Sequence, residues 1–218
     1  MPIGSVSQAI GSAQSRQVQA RLNTQRIYSA WLDAVDAATA SATALRVATA
    51  TVITPVSVPA SSLVAGGITA LASCARQLQF TTAGGTPADA PATVTIRGCT
   101  ALGSIVEVLA LAQTATTANS LNYYMSIESL DYPPGDGVGA TIAVGFTANL
   151  GLPAKLKGRG NASAVFPFLT ELMDGAVPTA GAFISPATAL PCGAYTPSSA
   201  PNAARDFLVQ FEVDPQWG

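Results

Sequence analysis

The sequence predicts a mainly β protein, an antiparallel β-sandwich or jelly-roll-like fold with a helical or extended N-terminal arm. Short runs rich in β-branched and aromatic residues follow one another from Arg76 to Pro153, and clusters of Gly, Pro and Asn separate them. The residues before this block lack the pattern. We therefore divide the chain into an arm, residues 1–72, and a β-sandwich domain, residues 73–218.

In the first part of the arm, apolar residues recur at close to helical spacing. The region contains no proline from Ile3 to Thr54 and is rich in alanine, which favours a helix between Ser5 and Ala48. The stretch Thr51–Pro59 alternates like an edge strand or an extended arm, because its two prolines cannot donate to a ladder. Ser61–Ala75 predicts a short helix broken at two consecutive glycines. The helically spaced apolar residues are Val18, Leu22, Ile27, Trp31 and Val35.

The β-domain predicts one strand for each apolar run. The last run, Asp206–Val213, alternates cleanly, so Phe207, Val209 and Phe211 should share one face and form core. A run at Ala164–Met173 predicts a strand interrupted by a proline. The runs of the middle block are Gln77–Thr82, Ala92–Arg97, Ile105–Leu111, Tyr123–Leu130 and Ala140–Phe146. In the third run Glu107 sits between Val106 and Val108, so we expect it to point to one sheet face as a solvated or paired edge carboxylate.

The cysteines leave two interpretations open. If Leu78–Thr82 and Ala92–Arg97 pair as a hairpin, Cys74 and Cys99 face each other across the ladder within reach of a disulfide. Two reduced, buried cysteines are the alternative, and a cytoplasmic protein favours it. No CxxC spacing is present, which argues against a zinc site.

The composition points to partners. Hydrophobic residues make up 49% of the chain and charged residues only 10%, whereas soluble domains average about 25% charged. Such a surface is poorly suited to a free monomer, so we expect neighbouring proteins to cover much of it. A neutral surface of Ala, Thr and Ser is the alternative. The net charge of −2 and the lack of a long apolar run argue against nucleic acid and membrane partners.

Catalytic motifs are missing from the sequence. The chain has no histidine, no G-x-S-x-G, no H-E-x-x-H and no phosphate-binding loop. We therefore expect a non-enzymatic protein without a cofactor or a metal. Candidate interface residues are Trp31, Trp217 and a basic cluster of Lys155, Lys157 and Arg159. The alternatives are a solvated basic loop and a Trp217 that packs on its own domain.

A chain of short motifs resembles a family of structural proteins. The motifs are Thr93-Val-Thr-Ile-Arg-Gly98, Tyr124-Met-Ser-Ile-Glu-Ser-Leu-Asp-Tyr-Pro-Pro-Gly-Asp136, Gly139-Ala-Thr-Ile-Ala-Val-Gly-Phe146 and Pro191-Cys-Gly-Ala-Tyr-Thr-Pro197. In their order and spacing they resemble the β-sandwich capsid decoration, or cement, proteins of tailed bacteriophages.

The resemblance implies a role in a virion that is assembled in the cytoplasm of the host bacterium. The favoured role is a cement protein that bridges subunits of the major capsid protein and forms a homo-oligomer. The alternatives are a neck, tail or fibre-associated structural protein, and a receptor-binding or glycan-binding module of the virion.

Overall fold

The computed structural model describes residues 16–19, 26–111, 116–154, 170–176, 181–184 and 193–213. Within them the chain is mainly β, and every strand pairing is antiparallel, which confirms the predicted fold class. One α-helix of the described residues, α1 (Ala65–Ser73), lies between the fourth and fifth strands. The strands are β1 (Arg16–Gln19), β2 (Arg26–Ala34), β3 (Ser41–Ala50), β4 (Val56–Pro59), β5 (Arg76–Ala83), β6 (Thr93–Thr100), β7 (Gly103–Ala110), β8 (Thr117–Tyr124), β9 (Ser126–Tyr132), β10 (Thr141–Gly151), β11 (Thr170–Met173), β12 (Ala182–Ile184), β13 (Ala194–Thr196) and β14 (Phe207–Glu212).

The strands form three sheets. Sheet I has the order β1-β2-β14-β11, and sheet III has the order β4-β9-β6-β7. Sheet II has the order β12-β13-β10-β5-β8, and β3 also pairs with β10. Strand β7 therefore ends one side of sheet III, and β8 ends one side of sheet II.

Two of the three apolar clusters among the described residues hold the sheets together. The larger one lies between sheets II and III, because it joins Phe80 and Val144 of sheet II to Ile96 and Leu130 of sheet III. The second cluster joins β2 and β14 of sheet I to the end of β10 and to β13. Burial of these faces, at roughly 25 cal/mol per Å² of apolar surface, is the main force that stabilises the layered arrangement.

The N-terminal segment up to Ala50 is mainly extended in the residues that the structure describes. The helix predicted between Ser5 and Ala48 is wrong in the described residues, since β1, β2 and β3 occupy them. In β2 the buried apolar residues are Ala30, Leu32 and Ala34, and this period of two belongs to a strand. Strand β2 pairs with β14, and β3 pairs with β10. Both strands thus lie in the same sheets as strands of residues 73–218.

The short helix predicted within Ser61–Ala75 is present, but the glycines do not break it. Helix α1 continues through Gly66 and Gly67 because the second glycine allows close packing. A Cβ atom on Gly67 would lie 2.2 Å from the carbonyl oxygen of Ala44 in β3, whereas one on Gly66 would meet nothing within 4 Å. Gly67 therefore sets the distance between the helix and sheet II.

The predicted hairpin of β5 and β6 is wrong. Strand β5 pairs with β10 and β8, and β6 pairs with β7 and β9, so the intervening turn crosses from sheet II to sheet III. Cys74 and Cys99 are free thiols, the first buried and the second half-buried. The crossing removes the ladder that would have set the two cysteines opposite each other.

The remaining strand predictions fit closely in the described residues, and of the predicted strand Ala164–Met173 the structure describes only Thr170–Met173, which forms β11. The run Tyr123–Leu130 is divided at Met125 between β8 and β9, while the strand Asp206–Val213 is confirmed as β14. Phe207, Val209 and Phe211 are each 0% exposed, which confirms the predicted core face. Of the stretch Thr51–Pro59, which was predicted as an edge strand or an extended arm, Val56–Pro59 forms β4 at the edge of sheet III. No helix of the described residues is long and apolar enough to cross a bilayer.

Arg76 is a buried cation that stabilises an irregular part of β10. The register of β10 against β5 is interrupted between Phe146 and Leu150. The guanidinium of Arg76 donates to the carbonyl oxygens of Thr147 and Ala148 at 3.3 and 3.4 Å, and to that of Ala38 at 2.7 Å. These bonds satisfy carbonyl groups that the interrupted ladder cannot pair, and burial lowers the pKa of Arg76.

Candidate interaction surfaces

A buried glutamate joins the edges of sheets II and III. Glu107 of β7 is 7% exposed, and its carboxylate accepts hydrogen bonds from the backbone of β8: from Leu121 N at 2.6 Å and from Asn122 N at 3.1 Å. It also accepts from Asn122 Nδ2 at 2.8 Å and from the Tyr124 hydroxyl at 2.9 Å. These four donors compensate for the hydration that the buried charge has lost. Two of them are backbone N–H groups of β8, so the carboxylate connects β7 to β8 in place of the ladder bonds that strands of one sheet would form. We call this contact the Glu107 seam.

The environment of Tyr124 reflects the same contact. Burial raises the pKa of the Tyr124 phenol, and the adjacent Glu107 charge and the hydrogen bond to it raise it further. The tyrosine therefore stays protonated and acts as a donor to the carboxylate.

A second glutamate joins sheets I and II in a similar way. Glu171 of β11 is 1% exposed and accepts hydrogen bonds from the Tyr195 hydroxyl of β13, from Gly181 N at 2.7 Å and from the Ser198 hydroxyl at 3.0 Å. Burial is the main cause that raises the pKa of Tyr195, followed by its bond to Glu171. Each buried glutamate thus binds a tyrosine of another sheet.

An apolar strip covers the outer side of the Glu107 seam. Because neighbouring residues of a strand point to opposite faces, the inward Glu107 forces Val106 and Val108 outward. These valines are 56% and 66% exposed, and Leu121, whose backbone bonds to Glu107, is 53% exposed. We call Val106, Val108 and Leu121 the seam strip. A group of exposed apolar side chains on a fixed backbone is typical of a protein-binding surface.

A pocket of about 160 Å³ lies between β3, the β3–β4 connection and the end of β9. Its lining combines threonines and aliphatic residues with Arg46, and the ring of Tyr132 forms part of the wall. The Arg46 guanidinium carbon lies 5.7 Å from the centre of that ring, within range of a cation–π interaction. We call this cavity the Arg46 pocket.

Exposed apolar side chains lie near the pocket. Val52 lines it and is 40% exposed, while its neighbour Ile53 is 62% exposed. The loop Gly135–Gly139 lies beside them, since Gly135 N donates to Val52 O at 3.1 Å, and this loop carries Val138, which is 64% exposed. We call Val52, Ile53 and Val138 the pocket rim.

Tyr132 is the least satisfied polar group of the pocket. Its side chain is 6% exposed, and its phenolic proton has no acceptor among the described residues. Burial raises the pKa of Tyr132 to about 12, and the charge of Arg46 opposes that rise. A buried hydroxyl without a partner costs about 1–3 kcal/mol, so the residue carries a cost that a bound acceptor would remove.

The predicted interface residues fall in different places. Trp31 is half-buried on β2, opposite Gln210 of β14, and its indole N–H has no partner among the described residues. It faces away from the second apolar cluster, which takes the alternate residues of β2. Lys155, Lys157, Arg159 and Trp217 lie outside the described residues.

Sequence reasoning missed the Arg46 pocket and saw Glu107 only in part. The alternation in β7 predicted a carboxylate on one sheet face, but its donors lie on a strand of another sheet. Arg46 and Tyr132 are 86 positions apart in the numbering, and no local pattern links them. Val106 and Val108 were visible as apolar residues beside a charge, which is the one signal that marked the seam strip.

Comparison of this chain with protein-family models, with curated proteins and with solved structures finds no match.

Proposed function

We propose that the protein is a non-enzymatic structural component of a tailed-phage virion, and specifically a capsid cement protein that binds subunits of the major capsid protein. The seam strip is the observation that carries the proposal. Its three aliphatic side chains are more than half exposed, and the buried carboxylate bonds hold the strands that display them. Together with the resemblance of the strand motifs, this favours a protein that acts through contact area.

The physical mechanism is the burial of neutral surface against neighbouring subunits. A stable interface buries about 800 Å² on each partner, so the seam strip would form its centre and uncharged residues its surroundings. With only 10% charged residues in the chain, such an interface requires little desolvation of charge. Repetition of one weak contact over a shell, through a symmetric homo-oligomer, multiplies its effect.

The test of location is immunogold labelling of intact virions with an antibody against the recombinant protein, combined with copy number from gel densitometry. Dense label over the head, at a copy number near that of the major capsid protein, is the expected result. Sparse label at the neck or the tail would replace the cement role by a connector or fibre role. Particles without label would refute a virion function.

The test of the seam strip uses valine-to-threonine variants, which keep the β-branched shape and remove the apolar character. Val106→Thr with Val108→Thr should weaken binding to particles that lack the protein by about tenfold. The control is Val35→Thr, because Val35 is 58% exposed and lies outside the seam. Equal binding by the double variant and the control would show that the strip is not the interface.

A further inference from the structure

We propose that the Arg46 pocket binds one carboxylate side chain, an aspartate or glutamate on an extended apolar segment of a neighbouring protein. This inference deepens the proposed function and rests on it only for the source of the segment. The ligand chemistry follows from the pocket itself.

The first argument is the unused hydrogen-bonding capacity of Tyr132. Its hydroxyl is buried, and the phenolic proton has no acceptor among the described residues. Arg46 is the nearby charged side chain, but a guanidinium has donors only and can never accept the phenolic proton. The missing partner is therefore an acceptor. Because the hydroxyl is shielded from solvent, a ligand reaches it only after side chains that line the pocket shift.

The second argument is the uncompensated charge of Arg46. Within the described part of the chain, the ion pair found is that of Arg97 with Asp131, and Arg46 has no acidic partner there. Arg46 is half-buried, and its guanidinium carbon lies over the Tyr132 ring at 5.7 Å from the centroid. A carboxylate matches this fork with two parallel hydrogen bonds, and it supplies the acceptor that Tyr132 lacks.

The third argument is size. The pocket volume of about 160 Å³ is below the roughly 300–1,000 Å³ of sites for cofactors and drug-sized ligands. It suits the end of a single side chain. The exposed apolar side chains of the pocket rim lie close to the pocket in the chain or through a backbone hydrogen bond, so we expect the residues that flank the acidic one to be apolar. An acidic residue between two aliphatic residues of an extended segment meets these requirements.

The closing experiment measures peptide binding by NMR with the ¹⁵N-labelled full-length protein. The probes are acetyl-Val-Glu-Val-amide and acetyl-Val-Gln-Val-amide, and the signals are the Arg46 side-chain Nε–H and the amides of Thr51 and Val52. We expect saturable shifts with the Glu peptide and affinity at least tenfold weaker for the Gln peptide. Equal affinity for the two peptides, or no shift with either, would overturn the inference.

Variants assign the interaction to the pocket. Arg46→Gln should abolish the preference for the Glu peptide, and Tyr132→Phe should weaken its binding about threefold to fivefold without lowering the urea midpoint. The control is Arg97→Gln, which removes an exposed arginine of sheet III and should leave binding unchanged. A preference that survives Arg46→Gln, or that disappears with Arg97→Gln, would contradict the assignment.

The two proposals fail separately. Peptide binding by the isolated protein tests the pocket alone, whereas labelling of particles tests the virion role. Labelled heads without peptide binding would remove the carboxylate site and keep the cement role. Peptide binding without labelled particles would keep the carboxylate site and remove the cement role.

Discussion

Replacing Glu107 by glutamine should lower the free energy of unfolding by about 2–4 kcal/mol. The carboxylate accepts one hydrogen bond at Oε1, from Leu121 N, and three at Oε2, from Asn122 N, Asn122 Nδ2 and the Tyr124 hydroxyl. Glutamine has the same shape but a single oxygen. If that oxygen takes the Oε2 position, its NH₂ group faces the Leu121 N–H, donor against donor.

The magnitude follows from these bonds. A hydrogen bond to a charged group contributes roughly 1.5–3 kcal/mol and a neutral one roughly 0.5–1.5 kcal/mol. The variant loses the Leu121 bond outright and weakens the three others by removing the charge. Part of this loss is recovered because a neutral amide is less costly to bury than a carboxylate, which keeps the expected total at about 2–4 kcal/mol.

Urea unfolding followed by far-UV circular dichroism measures the effect, and the slope of the transition should stay constant. Glu128→Gln is the matched control, since Glu128 is exposed on β9, and it should change stability by less than about 0.5 kcal/mol. Tyr124→Phe should cost about 1–2 kcal/mol on its own and less in the Glu107→Gln background. A loss below about 1 kcal/mol for Glu107→Gln, or equal to that of the control, would refute the view that this carboxylate closes the sheet edges.

Three further predictions concern stability. Burial raises the pKa of the Cys74 thiol from 9.0 to about 11, with Arg76 opposing the rise, so the fold disfavours the thiolate. The contribution of the neutral thiol to the free energy of unfolding is complete below pH 9 and falls as the pH rises, by roughly 2 kcal/mol at pH 11. Between pH 8 and 11, the urea midpoint of Cys74→Ala should therefore fall less than that of the unmodified protein. Arg76→Lys should cost about 1–3 kcal/mol by urea unfolding, because one ammonium group cannot reach the carbonyls of Thr147, Ala148 and Ala38 together; an unchanged midpoint would contradict that role. Gly66→Ala should raise the thermal midpoint through helix propensity worth about 0.5–1 kcal/mol, whereas Gly67→Ala should lower it through the clash with Ala44, and changes of the same sign would disprove the packing argument.

Strand positions were predictable wherever one face is buried and the other is not. In β14 the alternation of Phe207, Val209 and Phe211 with Leu208 and Gln210 gave both the strand and its core face, and the structure confirms them. The same reasoning located β5, β6, β7 and β10, because a period of two is a local property of the sequence.

The N-terminal strands could not be predicted in this way. In β2 the apolar residues include Trp31, which faces away from the second apolar cluster. The spacing of apolar residues in the sequence therefore fits a helical period nearly as well as a strand period. What decides the conformation is pairing with β14, where Trp31 lies opposite Gln210. Partners so far apart in the chain leave no local trace, and the same limit explains the wrong hairpin of β5 and β6.

The interaction surfaces could not be predicted from the sequence for a related reason. Arg46 and Tyr132 meet because β3 and β9 border one cavity, and the missing acceptor of Tyr132 is a property of the packed environment. The sequence did indicate that Glu107 points to one face of a strand. Whether it is solvated or paired depends on β8, which lies in another sheet.

The same strand register that joins the edges of sheets II and III at the Glu107 seam also exposes the valines beside it. An exposed strand edge invites further strands, and here the carboxylate occupies the N–H groups of Leu121 and Asn122 that such a strand would use. Because side chains alternate, the position that brings Glu107 inward is the one that turns Val106 and Val108 outward. A slip of one residue in β7 would expose the charge and bury both valines, at the cost of four hydrogen bonds. The register that closes the sheets therefore also fixes the seam strip, and association at this site should proceed through side-chain faces rather than through the addition of a strand.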